Sequence, residues 1–311
     1  MNSTEESEEQ VKPEPRVLII VANWNGQEVI SKFIETATSS DYTNLDILVV
    51  DNASTDGSCD VIRSHPSIGL LPLLQNLGWG NAINAGLSDE RAENVDYFIF
   101  MNNDVFLEPG AVKALVRQGE EHPEFGIFSP ILLDINGETT HSGGFFTSLG
   151  WWRRVIPDTE RKPEVPEELD IVIGAAMFVR AQVVEKIGGF DPEFFLYRED
   201  VDYCKRAKGA GFRIGVANNS RAVHVEGATT RKDVEVKTTN FDSEGIYADS
   251  FVKYVFKHLG YHELLRWLFT RRGMSSWGSV LQNWRKLMEI RRRSMDRIDP
   301  LHAARGIPAP R

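Results

Sequence analysis

Residues 197–214 read YREDVDYCKRAKGAGFRI and gather Glu199, Asp200 and Asp202 ahead of Lys205, Arg206 and Lys208. Acids in the first turn of a helix meet unpaired N–H groups and the positive end of the macrodipole, and cations suit the far end. A carboxylate held rigidly at such a terminus can also take a proton from a hydroxyl, as a general base. Helix chemistry alone accounts for the pattern, so the choice turns on what else the chain assembles. Polar groups close a series of apolar runs: Asn23 and Asn25 after VLIIVA, Asp51 after LDILVV, Asn76 after the third run and Asp104 after DYFIFM. One such residue is an ordinary turn-former. Four in succession point to a site.

The elements that carry these residues follow from the pattern. Val17–Ala22 and Leu45–Val50 are continuous apolar, β-branched runs, as in strands buried on both faces. Leu70–Leu74 and Asp96–Met101 continue the series, with helical patterns near 28–38, after Gly57 and up to Leu87. Strands alternating with helices at this spacing predict right-handed βαβ units and a parallel sheet, an α/β fold. Ligands of such sheets sit outside the carboxyl ends of the strands, where these polar groups lie. After Asp104 the pattern loosens. Ala111–Glu120 reads as helix, 126–155 is marked by glycine and aromatic residues, and Pro157–Glu168 is a charged, proline-rich loop. Ile171–Arg180 reads as one strand interrupted by small residues, and Phe212–Ala217 and Ala222–Val225 as two short ones.

Composition narrows the class. The chain has 311 residues, 41% hydrophobic and 26% charged, enough for one large domain or two ordinary ones. A formal charge of −10 argues against nucleic acid as a partner. Cys59 and Cys204 have no zinc-like spacing and fit a reducing, cytoplasmic setting. Residues 1–15 read as a disordered acidic tail with no signal-peptide character, and no apolar run is long enough to span a bilayer. No P-loop motif occurs. Gly78-Trp79-Gly80 has Ile83 where a dinucleotide fingerprint needs glycine, and it follows the third run, not the first, which argues against a nicotinamide enzyme.

Seven segments in order resemble the family 2 glycosyltransferases: VLIIVANWNG, VVDNASTDGS, NLGWGNAINAG, FMNND, GAAMFVR, GGFDPEFFLYREDVD and VHVEG, spread over about 16–230. The likeness is greatest to the rhamnosyltransferase-like branch. It implies a GT-A fold over 16–250, with a nucleotide-binding half (16–104) and an acceptor half (105–250), while residues 251–311 read from their own pattern as an amphipathic, basic helical extension. It also implies inverting transfer from a dTDP- or UDP-linked sugar, such as rhamnose, to a glycan or lipid-linked acceptor. Asp200 then matches the catalytic base, and Glu199 orients the acceptor or its loop. Asp51 accepts the N3–H of uracil or thymine. Ala22, Asn23 and Trp24 line the base, Asn76 and Gly78 form the neighbouring wall, and Asn103 joins the donor site. Asp104 and His224 match ligands of a divalent cation, Mn2+ or Mg2+, with imidazole favouring manganese. Here the family's D-x-D reads Asn102-Asn103-Asp104, an amide standing where the first carboxylate is usual. Asp202 reads as a helix-turn acid.

Two other classes stay in view. A nucleotidyltransferase would want a basic loop after the first strand, and Asn23-Trp24-Asn25-Gly26 has no Lys or Arg. The missing first Asp keeps open a sugar-nucleotide-binding scaffold without activity. The chain ends in a basic, aromatic segment, with Arg266, Arg271, Arg272 and Arg291–Arg293 among Trp267, Trp277 and Trp284. Such a segment suits an anionic membrane surface, and equally a helix packed on the domain or in a homodimer.

Overall fold

The computed structural model describes residues 13–147, 152–157, 165–225 and 243–260. Its first half alternates as expected: β1 (Val17–Asn23), α1 (Gln27–Thr38), β2 (Leu45–Asp51), α2 (Ser58–Arg63), β3 (Gly69–Pro72), α3 (Trp79–Leu87) and β4 (Tyr97–Asn102). Then come β5 (Val105–Leu107), α4 (Ala111–Glu121), β6 (Phe125–Leu133), β7 (Gly143–Phe146), β8 (Trp152–Val155), β9 (Glu167–Leu169) and β10 (Ile171–Val172). The described chain closes with β11 (Ala176–Arg180), α5 (Ala181–Ile187), α6 (Glu199–Gly209), β12 (Arg213–His224) and α7 (Ser243–His258).

One sheet runs in the order β3-β2-β1-β4-β11-β6-β12-β5, with β9 on β12. Its β3-β2-β1-β4 half is parallel throughout, and β6 and β12 are also parallel to each other. β11 enters antiparallel between the two halves, pairing with β4 and β6. β10, β7 and β8 form a small separate sheet.

The apolar runs are continuous because both faces are covered. Leu18, Ile20, Leu48, Val50, Phe98 and Phe100 point to one core, shared with α3 and α5–α7. Their alternates, Val17, Ile19, Val21, Ile47, Val49 and Ile99, point to the other, shared with α1 and α4.

Three expected elements differ. The third strand is Gly69–Pro72, and Leu74 beyond it is fully exposed. The stretch expected as one strand over 171–180 is two strands in different sheets, because the chain leaves β10 at Ile173-Gly174 and re-enters the large sheet at Ala176. The two short strands expected over 212–225 are one, β12, whose register on β6 shifts between Ala217 and Arg221; the interposed polar residues mark an irregularity, not a strand end. The expected boundary at residue 251 falls inside α7, which buries Phe251, Val252, Tyr254, Val255 and Phe256 in the first core. The acidic tail before residue 13 and the basic segment 261–311 lie outside the described residues.

Candidate active site

Strand register builds the site. Pairing places Asn23 beside Asp51 and Ala22 beside Asn102 at the carboxyl ends of β1, β2 and β4. Asn23 is fully buried. Its Nδ2 donates to Asp51 Oδ1 (2.8 Å) and Ser58 Oγ (3.0 Å), and its Oδ1 accepts from Asn103 Nδ2 (2.7 Å). Asp51 accepts a second bond, from the Ser54 N–H at 3.0 Å, and is 2% exposed. Asn52 ties down the next turn: its Oδ1 accepts the Leu77 N–H, and its Nδ2 donates to Asn76 Oδ1, which also takes the Gly78 N–H. Gly78 has a left-handed φ of 86°, and a Cβ there would lie 1.9 Å from the Phe195 carbonyl oxygen. That position admits only glycine. Through it the nucleotide-side turn sits directly on the loop that leads to α6, and the Trp79 N–H donates to the same Phe195 carbonyl at 3.0 Å.

Asp104 and His224 come from the fourth and the seventh motif and meet because β5 pairs antiparallel with β12, His224 opposite Val105. The Val225 N–H donates to the Asp104 carbonyl at 3.0 Å. His224 Nε2 lies 3.4 Å from Asp104 Oδ1. Among the described residues, that Oδ1 and His224 Nδ1 are buried with no hydrogen-bond partner. Two ligands of one divalent cation, each about 2.1 Å from the ion, stand about 3 Å apart, so the pair suits a shared ion. Among the described residues no cluster of three or more His, Cys, Asp or Glu side chains forms a complete metal site. Two protein ligands fit a cation whose remaining ligands are water and substrate phosphate.

The carboxylate pair sits across the pocket at the start of α6. Tyr197 (φ 69°) and Arg198 (φ 72°) are consecutive left-handed residues, a conformation that non-glycine residues hold only where the surroundings impose it. Their turn aims both acids inward. Asp200 is half-buried and accepts N–H bonds from Gly174 (2.9 Å, Oδ2) and Val201 (2.7 Å, Oδ1). Glu199 is buried, and its Oε2 has no partner. Burial, reinforced by the neighbouring Asp200 charge, pushes the Glu199 carboxyl up to about 8. Burial also raises Asp200, against the opposing N–H bonds from Gly174 and Val201. The pair's proton resides on Glu199, because Asp200 has two N–H groups to stabilise its charge and Glu199 Oε2 has none. Asp202 faces away. It is fully buried, and although burial pushes its carboxyl up, Arg206, Lys257 and His258 together hold it well below the usual range.

One pocket of about 430 Å³ joins these groups. Ala22, Asn23, Trp24, Asn76, Gly78, Asn103, Asp104, Glu199, Asp200 and His224 all line it. Asp51 does not: it stands behind Asn23 as that side chain's acceptor. The sequence reading did not single out Trp79, His141, Trp152, Arg154, Arg198 or Tyr247, which also line it. Trp152, Arg154 and Tyr247 lie outside the recognisable motifs, and no periodicity marks them. Arg198 is inside one, but its inward aim depends on a φ that sequence does not disclose.

A parallel nucleotide-type half-sheet joined through an antiparallel strand to a second half, with one pocket at the junction, is the GT-A architecture. A crystal structure of GalNAc-T7 with UDP, GalNAc and Mn2+ superposes with a TM-score of 0.62 at 13% identity, over 95% of this chain and 59% of that longer one. The family model described as glycosyl transferase family 2 matches residues 18–188. The chain belongs to the family 2 glycosyltransferases. Among its relatives, the N-acetylglucosaminyl-diphospho-decaprenol L-rhamnosyltransferase of Mycobacterium tuberculosis is 26% identical over 91% of this chain and 98% of that protein. Rhamnosyltransferase WbbL of Escherichia coli K12 is 22% identical, over 67% of this chain and 83% of that one.

Proposed function

We propose that this glycosyltransferase moves rhamnose from a dTDP- or UDP-linked donor to a lipid-linked sugar acceptor, with inversion at the anomeric carbon and Asp200 as general base. The observation that carries the reading is the one pocket with Asp104 and His224 on one wall and Asp200 on another. Two relatives are named as rhamnosyltransferases, one of them for a diphospho-decaprenol acceptor, which supports the sugar and the acceptor class.

The chemistry follows from charge. The acceptor hydroxyl gives its proton to Asp200 as its oxygen bonds to the anomeric carbon. On the opposite face the bond from that carbon to the diphosphate oxygen breaks, and the electron pair leaves with the nucleoside diphosphate. Attack and departure on opposite faces invert the centre. Gly174 and Val201 N–H groups hold Asp200 in place, and neutral Glu199 beside it avoids a second negative charge. Asn23 and Asn103, hydrogen-bonded to each other, shape the donor wall. Asp51, buried behind Asn23 and off the pocket lining, acts on the donor wall through its hydrogen bond to that side chain and does not itself reach the base. Asp104 and His224 would hold a divalent cation, and the GalNAc-T7 structure with Mn2+ supports one. When bound, that ion supplies counter-charge to the departing diphosphate.

The protein is proposed to work at the cytoplasmic face of a membrane as a peripheral protein. No helix among the described residues is long and apolar enough to cross one. The test is a transfer assay from dTDP-rhamnose or UDP-sugars to N-acetylglucosaminyl-diphospho-prenol. EDTA abolishes transfer, manganese restores it at least as well as magnesium, and Asp104→Ala behaves like the chelated enzyme. Full activity in chelator contradicts the metal assignment of Asp104 and His224 together.

A further inference from the structure

The pocket has a wall that the reaction above leaves without a role. It is made by β8, the turn before α6, and α7, none of which belongs to the β1–β4 half. Two guanidinium groups stand on it. Arg154 is exposed on β8, and Arg198 sits in the left-handed turn. The Trp152 indole is shared between them, its centroid 5.9 Å from Arg154 Cζ and 6.0 Å from Arg198 Cζ.

Arg198 is held in an aromatic box. Its Cζ is 5.4 Å from the Tyr247 ring, 5.2 Å from Phe251 and 5.9 Å from Tyr254, and it donates to Tyr247 Oη at 2.7 Å. Its Nε is buried with no hydrogen-bond partner. Among the described residues neither arginine is in an ion pair, in a chain with 45 acidic residues and 35 Lys and Arg. Of the three acids that line the pocket, Asp104 stands with His224, and Glu199 and Asp200, which follow Arg198 directly and feel its charge, are the pair assigned to the reaction.

We propose that Arg154 and Arg198, with Trp152 between them, form a subsite for the diphosphate group of the acceptor. A guanidinium fork matches phosphate oxygens in pairs, and two forks around one indole suit a ligand with two adjacent anionic groups. In the proposed reaction the donor's own diphosphate is met at Asp104, in the turn before β5, and His224, on β12, at the other side. The subsite thus selects acceptors of the sugar–diphosphate–lipid type and presents their sugar hydroxyl to the neighbouring Asp200. The inference rests on the proposed transfer reaction for what the subsite serves, though its binding chemistry stands without it.

The experiment measures binding of two probes to the full chain with dTDP or UDP at saturation: farnesyl-diphospho-N-acetylglucosamine, and farnesyl N-acetylglucosaminide without the diphosphate. The diphosphate probe binds at least about ten-fold more tightly. Arg154→Gln and Arg198→Gln each remove most of that preference, and Arg154→Lys, a point charge without the fork, keeps part of it. Arg154 is exposed, so its variants keep the test in force even where the Arg198 variant does not fold. Equal affinity for the two probes, or wild-type affinity for the diphosphate probe in Arg154→Gln, overturns the subsite. Discrimination lost in the variants while the wild type transfers no sugar to either probe supports the subsite and sinks the transfer reading. Transfer with an unchanged acceptor KM in Arg154→Gln does the reverse.

Discussion

Glu199 and Asp200 are adjacent acids with different hydrogen bonding, and the difference assigns their roles. Asp200 carries the charge because two N–H groups face it, whereas Glu199 is buried with an orphaned oxygen and holds the proton. The stability consequence has a definite sign. Glu199 is raised from 4.5 to about 8, so between those values the folded state binds more protons than the unfolded chain, and stability falls as pH rises. The slope is up to about 1.4 kcal/mol per pH unit for one proton. Glu199→Gln flattens this limb, as thermal unfolding between pH 5 and 8 would record; an unchanged slope contradicts the buried neutral acid. The sequence disclosed that acids gather before a basic helix, and it disclosed the strand-end residues. It did not disclose aim. Asn23 and Asp51 both end strands and are register partners on one face, yet Asn23 lines the pocket while Asp51 sits behind it, because β1 lies between β2 and β4 and so interposes Asn23 between Asp51 and Asn103.

At the scale of elements, α7 does more than cover the core. Lys257 Nζ and His258 Nε2 each reach Asp202 Oδ1 at 2.6 Å, and Arg206 Nε reaches Oδ2 at 2.9 Å. Lys253 donates to the Glu193 carbonyl at 2.6 Å and Ser250 to the Leu196 carbonyl at 2.7 Å. The helix therefore grips the loop that leads to Glu199 and Asp200. Removing the central anion strips Arg206, Lys257 and His258 of their shared carboxylate, although Lys257 keeps Asp191 and Arg206 keeps the Ile187 and Gly189 carbonyls; breaking such a buried cluster costs about 3–5 kcal/mol. Asp202→Ala is expected to lower the unfolding free energy in urea by that amount; a loss under about 1 kcal/mol contradicts a buried cluster. Asp202 lies well below the usual carboxylate range, so its contribution is present at neutral pH and lost as pH falls through the acid range, opposite in sign to Glu199. None of this was legible beforehand, since Asp202 reads in sequence as one more first-turn acid. The alternation of β1 to β4 was legible because period and apolar run length are local. The split of β10 from β11 was not, because it depends on which sheet each piece joins.

For the whole molecule, the α/β order of strands and helices follows from the order of motifs, and the family model matches residues 18–188 of it. The basic segment 261–311 is outside the described residues, so its role stands as a proposal from composition: it holds the enzyme on an anionic surface near lipid-linked acceptors. The full chain is expected to co-sediment with phosphatidylglycerol vesicles at low salt, and a chain ending at residue 261 is expected to remain in the supernatant with donor binding intact. Absence of co-sedimentation by the full chain contradicts the membrane role.

The central claim is that Asp200 deprotonates the acceptor in a glycosyl transfer, and one paired measurement tests it most directly: turnover and donor affinity of Asp200→Asn beside the wild type. The substitution keeps size and removes the base. Turnover is predicted to fall by about two to four powers of ten while the donor dissociation constant stays within about three-fold. Transfer by Asp200→Asn at near the wild-type rate would contradict the account.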